Sequence, residues 1–317
     1  MAVWSSLDDF PENLGPTVVS IGNFDGVHLG HQHVIRTAAQ AADGKYPVVA
    51  VTFDPHPMAV LRPEHAPAQL TSISQRAELL EQAGADHLLA IPFSREIAAW
   101  TPDQFIQWVL IDTLHATTVV VGANFRFGAR AAGDSHTLAA AGQKLGFEVI
   151  SIDLDGGPQV WSSTYIRACL GEGDVEGAAE ALGRPYSVSG VVSRGDQRGR
   201  ELGFPTANVP IGAVIAPADG VYAGWLKVSG ERHPAPQSGD WHRHGALRAA
   251  GVAGRSLALR PVPVDLAQRL EQPHRPALHG LSGSADRTGA GLDADRGVLH
   301  PGSLHQRPAR ARRRSSG

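Results

Sequence analysis

Short apolar runs alternate with helix-like segments through the first half of the chain. The runs are rich in β-branched residues and have the length of buried strands; they cover residues 17–21, 48–53, 87–92, 117–122 and 147–152. Residues 73–84 place apolar side chains on one helical face, and 102–114 begin with Pro102 after Thr101, a good N-cap. This alternation predicts an α/β domain in which helices cover both faces of a parallel sheet.

The pattern changes near Tyr186. Residues 188–193 and 220–228 alternate between apolar and polar positions, and turn-forming residues dominate between them. Such alternation is typical of antiparallel strands with one solvated face. We therefore expect a second, smaller antiparallel β-domain.

A second change of composition follows Arg232. Residues 233–317 contain no Lys, Ile, Phe, Tyr, Asn, Met or Cys, and their only glutamate is Glu271. Because β-branched and aromatic residues supply the core of a β-domain, this segment is poor material for completing one. Two interpretations remain: a disordered basic extension, or out-of-frame translation of a GC-rich coding sequence. We assign residues 233–317 no chemistry.

Composition limits the class of protein. The chain has 317 residues, enough for two domains, and a net charge of -3, which gives no global attraction to nucleic acid or membranes. The single cysteine, Cys169, excludes a disulfide framework and a cysteine-rich zinc site. The first residues lack the pattern of a signal peptide, and no apolar run approaches the ~18 residues of a membrane span. We expect a cytoplasmic protein with neither a membrane nor a nucleic acid as partner.

The strongest chemical motif lies between the first strand and the next helix. Residues 22–31 read Gly-Asn-Phe-Asp-Gly-Val-His-Leu-Gly-His. A glycine-rich turn at the start of a helix offers backbone N–H groups and the helix dipole to an anion. His28 and His31 add donors that are neutral or charged near pH 7. A short Gly-x-x-His match is usually only a turn, but this longer pattern directly after a strand predicts a phosphate site.

Three further motifs follow strands or begin a helix. Taken singly, they are explained as a proline-rich turn, core aromatic residues and a helix N-cap. Ligands of parallel α/β sheets bind beyond the carboxyl ends of the strands, so the motifs are expected to converge. Their candidate residues are His56 in 53–57, Asn124 and Arg126 in 122–128, and Ser163, Thr164 and Arg167 in 162–167.

A fourth motif, residues 195–208, belongs to the second domain. Its glycines and arginines suit phosphate binding, and Thr206 and Asn208 offer hard oxygen ligands to Mg²⁺. The alternative is a flexible surface loop. The candidates for nucleotide binding are Gly199, Arg200, Gly203 and Pro205.

Together these motifs resemble those of the bacterial bifunctional riboflavin kinase/FAD synthetase family. The resemblance rests on the turn at 22–31, the three further motifs, the join Leu182 to Tyr186, and the segments 199–208 and 220–224. It covers residues 1 to about 230. It implies a Rossmann-like nucleotidylyltransferase domain at 1–184, an incomplete riboflavin kinase β-barrel at 185–232, and a tail at 233–317.

The resemblance also implies the chemistry. The first module would transfer AMP from ATP to FMN, giving FAD and pyrophosphate, with His28 and His31 on the ATP phosphates. The phosphate-binding turn at 22–31 would be shaped by Gly22, Phe24, Asp25 and Gly30. The other candidates of this module would complete the nucleotide site. The second module would phosphorylate riboflavin with ATP and Mg²⁺, using Thr206 and Asn208.

Two departures from the family pattern stand out. Tyr165 occupies a position where the family often has arginine, and the strand that carries the expected glutamate base is not recognisable after Arg232. We therefore expect weak or no kinase activity.

Three alternative functions stay open. They are a fully bifunctional enzyme, a nucleotidylyltransferase for a pantetheine or nicotinamide precursor, and a nucleic-acid-binding protein acting through Arg310 to Arg314. The oligomeric state is not indicated.

Overall fold

The computed structural model describes residues 1–153, 161–191, 206–210, 212–228, 231–239, 246–250 and 256–260. Its first half contains a six-stranded parallel sheet in the order β1-β4-β3-β2-β5-β8. The strands are β1 (Ala2–Trp4), β2 (Thr17–Ile21), β3 (Val48–Phe53), β4 (His87–Ile91), β5 (Ala116–Gly122) and β8 (Glu148–Ile152). The predicted parallel sheet is confirmed.

Alternate residues of the central strands enter two different cores. Val19, Val51 and Val121 belong to the core on one face, and Val18, Ala50 and Val120 to the core on the other. Strands buried on both faces read as continuous apolar runs, which is why these segments are mostly apolar and rich in β-branched residues. The sheet is therefore covered by helices on both sides.

The helices begin where the local sequence supplies caps. Ser72 with Gln75, and Thr101 with Gln104, form capping boxes. The segment Ile106–Thr113 is a π-helix, where periodicity predicts a continuation of the helix that starts at Pro102. The α-helices are α1 (Leu29–Ala42), α2 (Pro57–Leu61), α3 (Ile73–Ala83), α4 (Pro102–Phe105), α5 (Ser135–Leu145), α6 (Ser163–Glu172) and α7 (Val175–Leu182).

Two short strands, β6 (Arg126–Phe127) and β7 (Gly133–Asp134), form a hairpin after β5. The second half forms an antiparallel sheet in the order β10-β13-β12-β11-β14-β9. Its strands are β9 (Ser187–Ser189), β10 (Thr206–Pro210), β11 (Gly220–Val228), β12 (Glu231–Gly239), β13 (Ala246–Ala250) and β14 (Ser256–Arg260). The antiparallel character expected after Tyr186 is confirmed.

The antiparallel sheet extends past Arg232, further along the chain than composition predicts. Strand β12 contains Pro234 and Pro236, which lack the N–H of a ladder. Among the described strands, both prolines lie where β12 pairs with β11 alone, because its pairing with β13 is confined to 237–239. Proline is tolerated at such an open edge, so the backbone can form strands despite the composition.

A segment before α3 connects the two sheets. Gln69 pairs with Val214, and the carbonyl of Gln69 accepts a hydrogen bond from the N–H of Ile215 at 2.7 Å. The Tyr186 hydroxyl lies 3.2 Å from the Leu70 carbonyl and 2.8 Å from that of Ile215. Buried side chains of α6, α7 and β11 form a third core here. Both modules thus contribute to one packed region.

Candidate functional site

The order of the parallel sheet creates a crevice beside β2. Strands β3 and β4 follow on one side of β2, and β5 and β8 lie on the other. Ligands of open α/β sheets bind where the strand order reverses in this way. A cavity of about 520 Å³ occupies this place, between the turn after β2, the segment after β5 and the start of α6.

The cavity brings together most of the residues that the motifs predict. These are Gly22, Phe24, His28, His31, His56, Asn124, Arg126 and Ser163. It also includes Asn23 and Trp161, which sequence analysis does not single out. Gly30 lies in the first turn of α1 and the exposed Thr164 in that of α6, and neither lines the cavity.

The turn after β2 has an unusual backbone. Phe24, Gly26 and Val27 all have positive φ, of 48°, 81° and 43°. A left-handed conformation at a β-branched residue such as Val27 is a genuine outlier and must be held by its surroundings. A Cβ on Gly22 would come within 3.1 Å of the Phe24 ring, which explains glycine at that position.

His28 is held by the helix that it caps. Its Nδ1 accepts a hydrogen bond of 3.4 Å from the backbone N–H of His31. Burial, and then the charge of Arg184, lower the pKa of His28 to about 4. A neutral imidazole whose Nδ1 accepts carries its proton on Nε2, so His28 presents an N–H donor to the cavity at neutral pH.

His31 stacks directly on His28, with ring centroids 3.7 Å apart, and meets the edge of Phe24 at 5.3 Å. Burial and the neighbouring His28 lower the pKa of His31 well below its usual value. Its Nδ1 is buried and has no hydrogen-bond partner within the described part of the chain. Both histidines are therefore neutral, where sequence analysis leaves the charge open.

The Asp25 carboxylate connects the turn to the segment that precedes α3. It accepts hydrogen bonds from the N–H groups of Leu70 and Thr71, and forms ion pairs with Arg76 and Arg167. The side chain is 4% exposed. Asp25 therefore ties the turn to Leu70 and Thr71.

Arg167 has a different local role from the one expected. The structure places its guanidinium on Asp25 and on the carbonyl of Ala68, and it does not line the cavity. Arg76, 4% exposed and missed by sequence analysis, shares Asp25 and donates to Thr52. Two guanidinium groups against one carboxylate leave a net positive charge behind the turn, which suits a polyanion bound in front of it.

The other predicted residues complete the rim of the cavity. His56 caps α2 by accepting from the N–H of Met58, and its Nε2 lies 3.2 Å from the side-chain amide of Asn23. Burial lowers the pKa of His56, with a further contribution from Arg167. The Ser163 hydroxyl donates to the Asp25 carbonyl at 2.8 Å, which fixes α6 to the turn.

A second cavity of about 370 Å³ adjoins the first, and the two share Phe53, Pro57, Met58 and Arg126. Its walls are mostly apolar, with Phe93, Trp100 and Phe105 among them and Arg62 and Arg130 also present. Flat aromatic ligands are bound in pockets of this kind. The two cavities together could hold a polyphosphate and a planar ring.

Of the candidate residues in the second module, the structure describes only two. Gly199, Arg200, Gly203 and Pro205 lie outside the described residues, and Thr206 and Asn208 lie in β10. Within the described residues, no group of three histidine, cysteine or acidic side chains could hold a metal ion. No helix in that same part of the chain is both long and apolar enough to cross a bilayer.

Comparison with known proteins agrees with this arrangement. The FAD synthetase family model matches residues 10–164, and the riboflavin kinase family model matches residues 182–250. The second match extends beyond Arg232, as the strands of the antiparallel sheet do.

Individual relatives carry both names. A bifunctional riboflavin kinase/FMN adenylyltransferase of Escherichia coli K12 is 36% identical over 257 residues, which are 80% of this chain and 76% of the relative. The protein of the same name from Bacillus subtilis is 40% identical over 224 residues, 69% and 70% of the two chains. A crystal structure described as the macrolide-efflux protein of Streptococcus pneumoniae has a TM-score of 0.70 at 26% identity, covering 85% of this chain and 95% of that one.

Proposed function

The chain belongs to the bifunctional riboflavin kinase/FMN adenylyltransferase family, and we propose that its first module makes FAD from FMN and ATP. The observation that carries this proposal is the pair of adjoining cavities at the strand-order reversal. One is lined by Arg126 and by His28 and His31 at the start of α1, and the other is mostly apolar and aromatic. This pairing fits a nucleoside triphosphate beside a flavin phosphate.

The reaction requires no covalent enzyme intermediate. A phosphate oxygen of FMN attacks the α-phosphorus of ATP, the bond from that phosphorus to the β-phosphate oxygen breaks, and pyrophosphate leaves with the electron pair. Catalysis of such transfers comes mainly from positioning and from stabilising charge on the phosphate oxygens.

The residues then take distinct roles. The Nε2–H of His28 and the imidazole of His31 donate to phosphate oxygens on which charge develops in the transition state. Asn124, Arg126 and Ser163 bind the nucleotide beside the histidines, as their place in the same cavity supports. Asp25, Arg76 and Arg167 hold the turn in shape, and the two arginines together carry one more charge than the carboxylate between them.

Mg²⁺ enters this proposal as part of the substrate. The carboxylate next to the turn, Asp25, already accepts from two backbone N–H groups and two arginines, so it is not arranged to hold a cation. We propose that Mg²⁺ arrives on the ATP phosphates and keeps mostly water and phosphate ligands. In the second module, Thr206 and Asn208 stay the predicted ligands of Mg²⁺–nucleotide.

The remaining assignments are also proposals. We place the protein in the cytoplasm, with small molecules as partners: ATP and FMN for the first module, and riboflavin for the second. The module boundaries at 184 and 232 stay predictions.

Mass-resolved turnover tests the proposal. The purified chain is incubated with Mg²⁺–ATP and, separately, with FMN, riboflavin, phosphopantetheine or nicotinamide mononucleotide. Of the four acceptors, we expect only FMN to react, giving FAD and pyrophosphate in equal amounts. Adenylylation of phosphopantetheine or nicotinamide mononucleotide without FAD formation would contradict the assigned acceptor.

A further inference from the structure

Arg184 lies between α7 and β9, yet its guanidinium reaches the phosphate-binding turn. Its Nη2 donates to the Gly26 carbonyl at 2.6 Å, and its Nη1 donates to the carbonyls of Val27 at 3.0 Å and Leu182 at 3.1 Å. All three acceptors are backbone groups. The side chain therefore ties the turn to the C-terminal end of α7.

Gln32 provides a second connection between the same two places. Its side-chain amide donates to the carbonyl of Val27 at 3.0 Å and to that of Leu182 at 2.9 Å. The Val27 carbonyl thus accepts from both side chains. Two separate donors on one carbonyl fix the plane of the peptide between Val27 and His28.

This peptide needs such support. Val27 is fully buried and has a φ of 43°, a left-handed conformation that is strained for a β-branched residue. Since His28 follows directly, relaxation of Val27 toward negative φ would swing the imidazole away from its position as N-cap of α1.

Arg184 also acts through its charge. No carboxylate among the described residues forms an ion pair with it. Burial lowers its pKa to about 10, so it stays protonated at neutral pH. A partly buried guanidinium whose hydrogen bonds to the described residues all go to carbonyls keeps its positive charge available to a bound polyanion.

We propose that Arg184 is a positioning residue for adenylyl transfer, which, together with Gln32, holds the carbonyls of Gly26 and Val27 and so aims the His28 imidazole at the phosphates. The inference rests on the proposed function. It gives a mechanistic role to a residue that the sequence marks only as part of the join between modules.

The test compares Arg184→Ala, Arg184→Lys and the matched control Arg95→Ala, in which an exposed arginine outside both cavities is removed. FAD formation is measured in the full chain, with kcat and KM for ATP determined separately. We expect kcat of Arg184→Ala to fall about 10- to 100-fold, with a smaller change in KM. Lysine should restore little, because one ammonium does not match two neighbouring carbonyls as a guanidinium does.

Added guanidinium ion, at concentrations that leave the fold intact by circular dichroism, provides a readout specific to positioning. It should raise the kcat of Arg184→Ala and leave the wild type and Arg95→Ala unchanged. Wild-type kcat in Arg184→Ala would overturn the proposal, and so would a folded, slow variant that guanidinium does not rescue.

Gln32→Met covers the case in which Arg184→Ala does not fold. It removes one donor to the Val27 carbonyl and should also lower kcat, by a smaller factor. An unchanged kcat would overturn the positioning role of these contacts. A wild-type chain that makes no FAD would contradict the proposed function itself, whereas an active wild type with unaffected variants contradicts only the role of Arg184.

Discussion

The imidazole rings of His28 and His31 stack on each other at 3.7 Å, with their planes inclined by 25°. Two imidazolium ions at this distance would repel each other, and burial disfavours either charge. Burial is the main reason that the pKa of both rings is lowered; the charge of Arg184 adds to the shift of His28, and the neighbouring His28 adds to that of His31. The pair is therefore suited to donating hydrogen bonds as neutral groups, with the positive potential coming from the nearby arginines.

Replacement of His28 tests its role in adenylyl transfer. We expect His28→Ala to lower kcat for FAD formation by about 10²- to 10³-fold, because a donor to the developing charge is lost. The control is His33→Ala, an exposed histidine of the same helix α1. Near wild-type kcat in a folded His28→Ala variant would contradict the assignment.

The lowered pKa of His28 predicts how stability depends on pH. Above pH 6.5 the His28 ring is neutral in the folded and in the unfolded protein. Between pH 6.5 and about 4, the unfolded chain binds a proton at this ring that the folded chain does not. Stability from this group therefore falls as the pH decreases through that window, by about 3 kcal/mol in total. Urea unfolding at several pH values should give a smaller decrease for His28→Ala than for the wild type. Parallel curves would show that the folded-state pKa is not lowered.

Alanine at Gly26, compared with alanine at Gly44, tests how tightly the phosphate-binding turn is packed. Both have positive φ, of 81° and 65°, but a Cβ on Gly26 would lie 2.8 Å from Leu70 Cδ1, whereas one on Gly44 meets nothing within 4 Å. Gly44→Ala should cost about 1–2 kcal/mol from backbone strain alone. Gly26→Ala should cost about 1–3 kcal/mol more, and should also lower FAD formation because it displaces the turn. Equal thermal midpoints for the two variants would contradict this steric account.

Asp25→Asn should be strongly destabilising, since it leaves Arg76 buried without its counter-ion. Removing one partner of a buried pair costs about 3–5 kcal/mol. Asp43→Asn is the control, because the Asp43–Lys45 pair is exposed and worth little. Chemical denaturation of both variants checks the difference, and a loss below about 1 kcal/mol for Asp25→Asn would contradict the network.

The kinase prediction concerns residues after Arg232. We expect little or no FMN from riboflavin and Mg²⁺–ATP, because no glutamate in suitable surroundings follows that residue. Robust FMN formation would contradict this expectation. Resequencing the coding region around the Arg232 codon separates a genuine extension from a change of frame.

The parallel sheet was predictable because its central strands are buried on both faces. Thr17–Ile21 and Val48–Phe53 are short runs rich in β-branched residues, and a run of five or six such residues favours a buried strand over a helix. The edge strand Ala2–Trp4 was not predicted, because three residues show no periodicity. The π-helix at 106–113 also escapes a pattern analysis that assumes 3.6 residues per turn.

The site was predictable where its residues follow strands, and less so where it depends on long-range pairing. His28, Asn124 and Ser163 meet in one cavity because the topology places their segments at the same edge. Arg76 and Arg184 were missed because burial of a guanidinium depends on partners distant in sequence. For the same reason, the pairing of Arg167 with Asp25 was not foreseen.

The 69–71 segment has a consequence for anyone building chimeras of this family. Its N–H groups at Leu70 and Thr71 donate hydrogen bonds to the Asp25 carboxylate. The carbonyls of Gln69 and Leu70 accept from the Ile215 N–H and the Tyr186 hydroxyl, which belong to the other half of the chain. Grafting the second half of a relative at residue 184 would replace both of those donors at once. A transplant that ignores them would unsettle the turn that handles phosphate, so a working hybrid has to carry Tyr186 and the 212–215 loop as a matched set with its recipient.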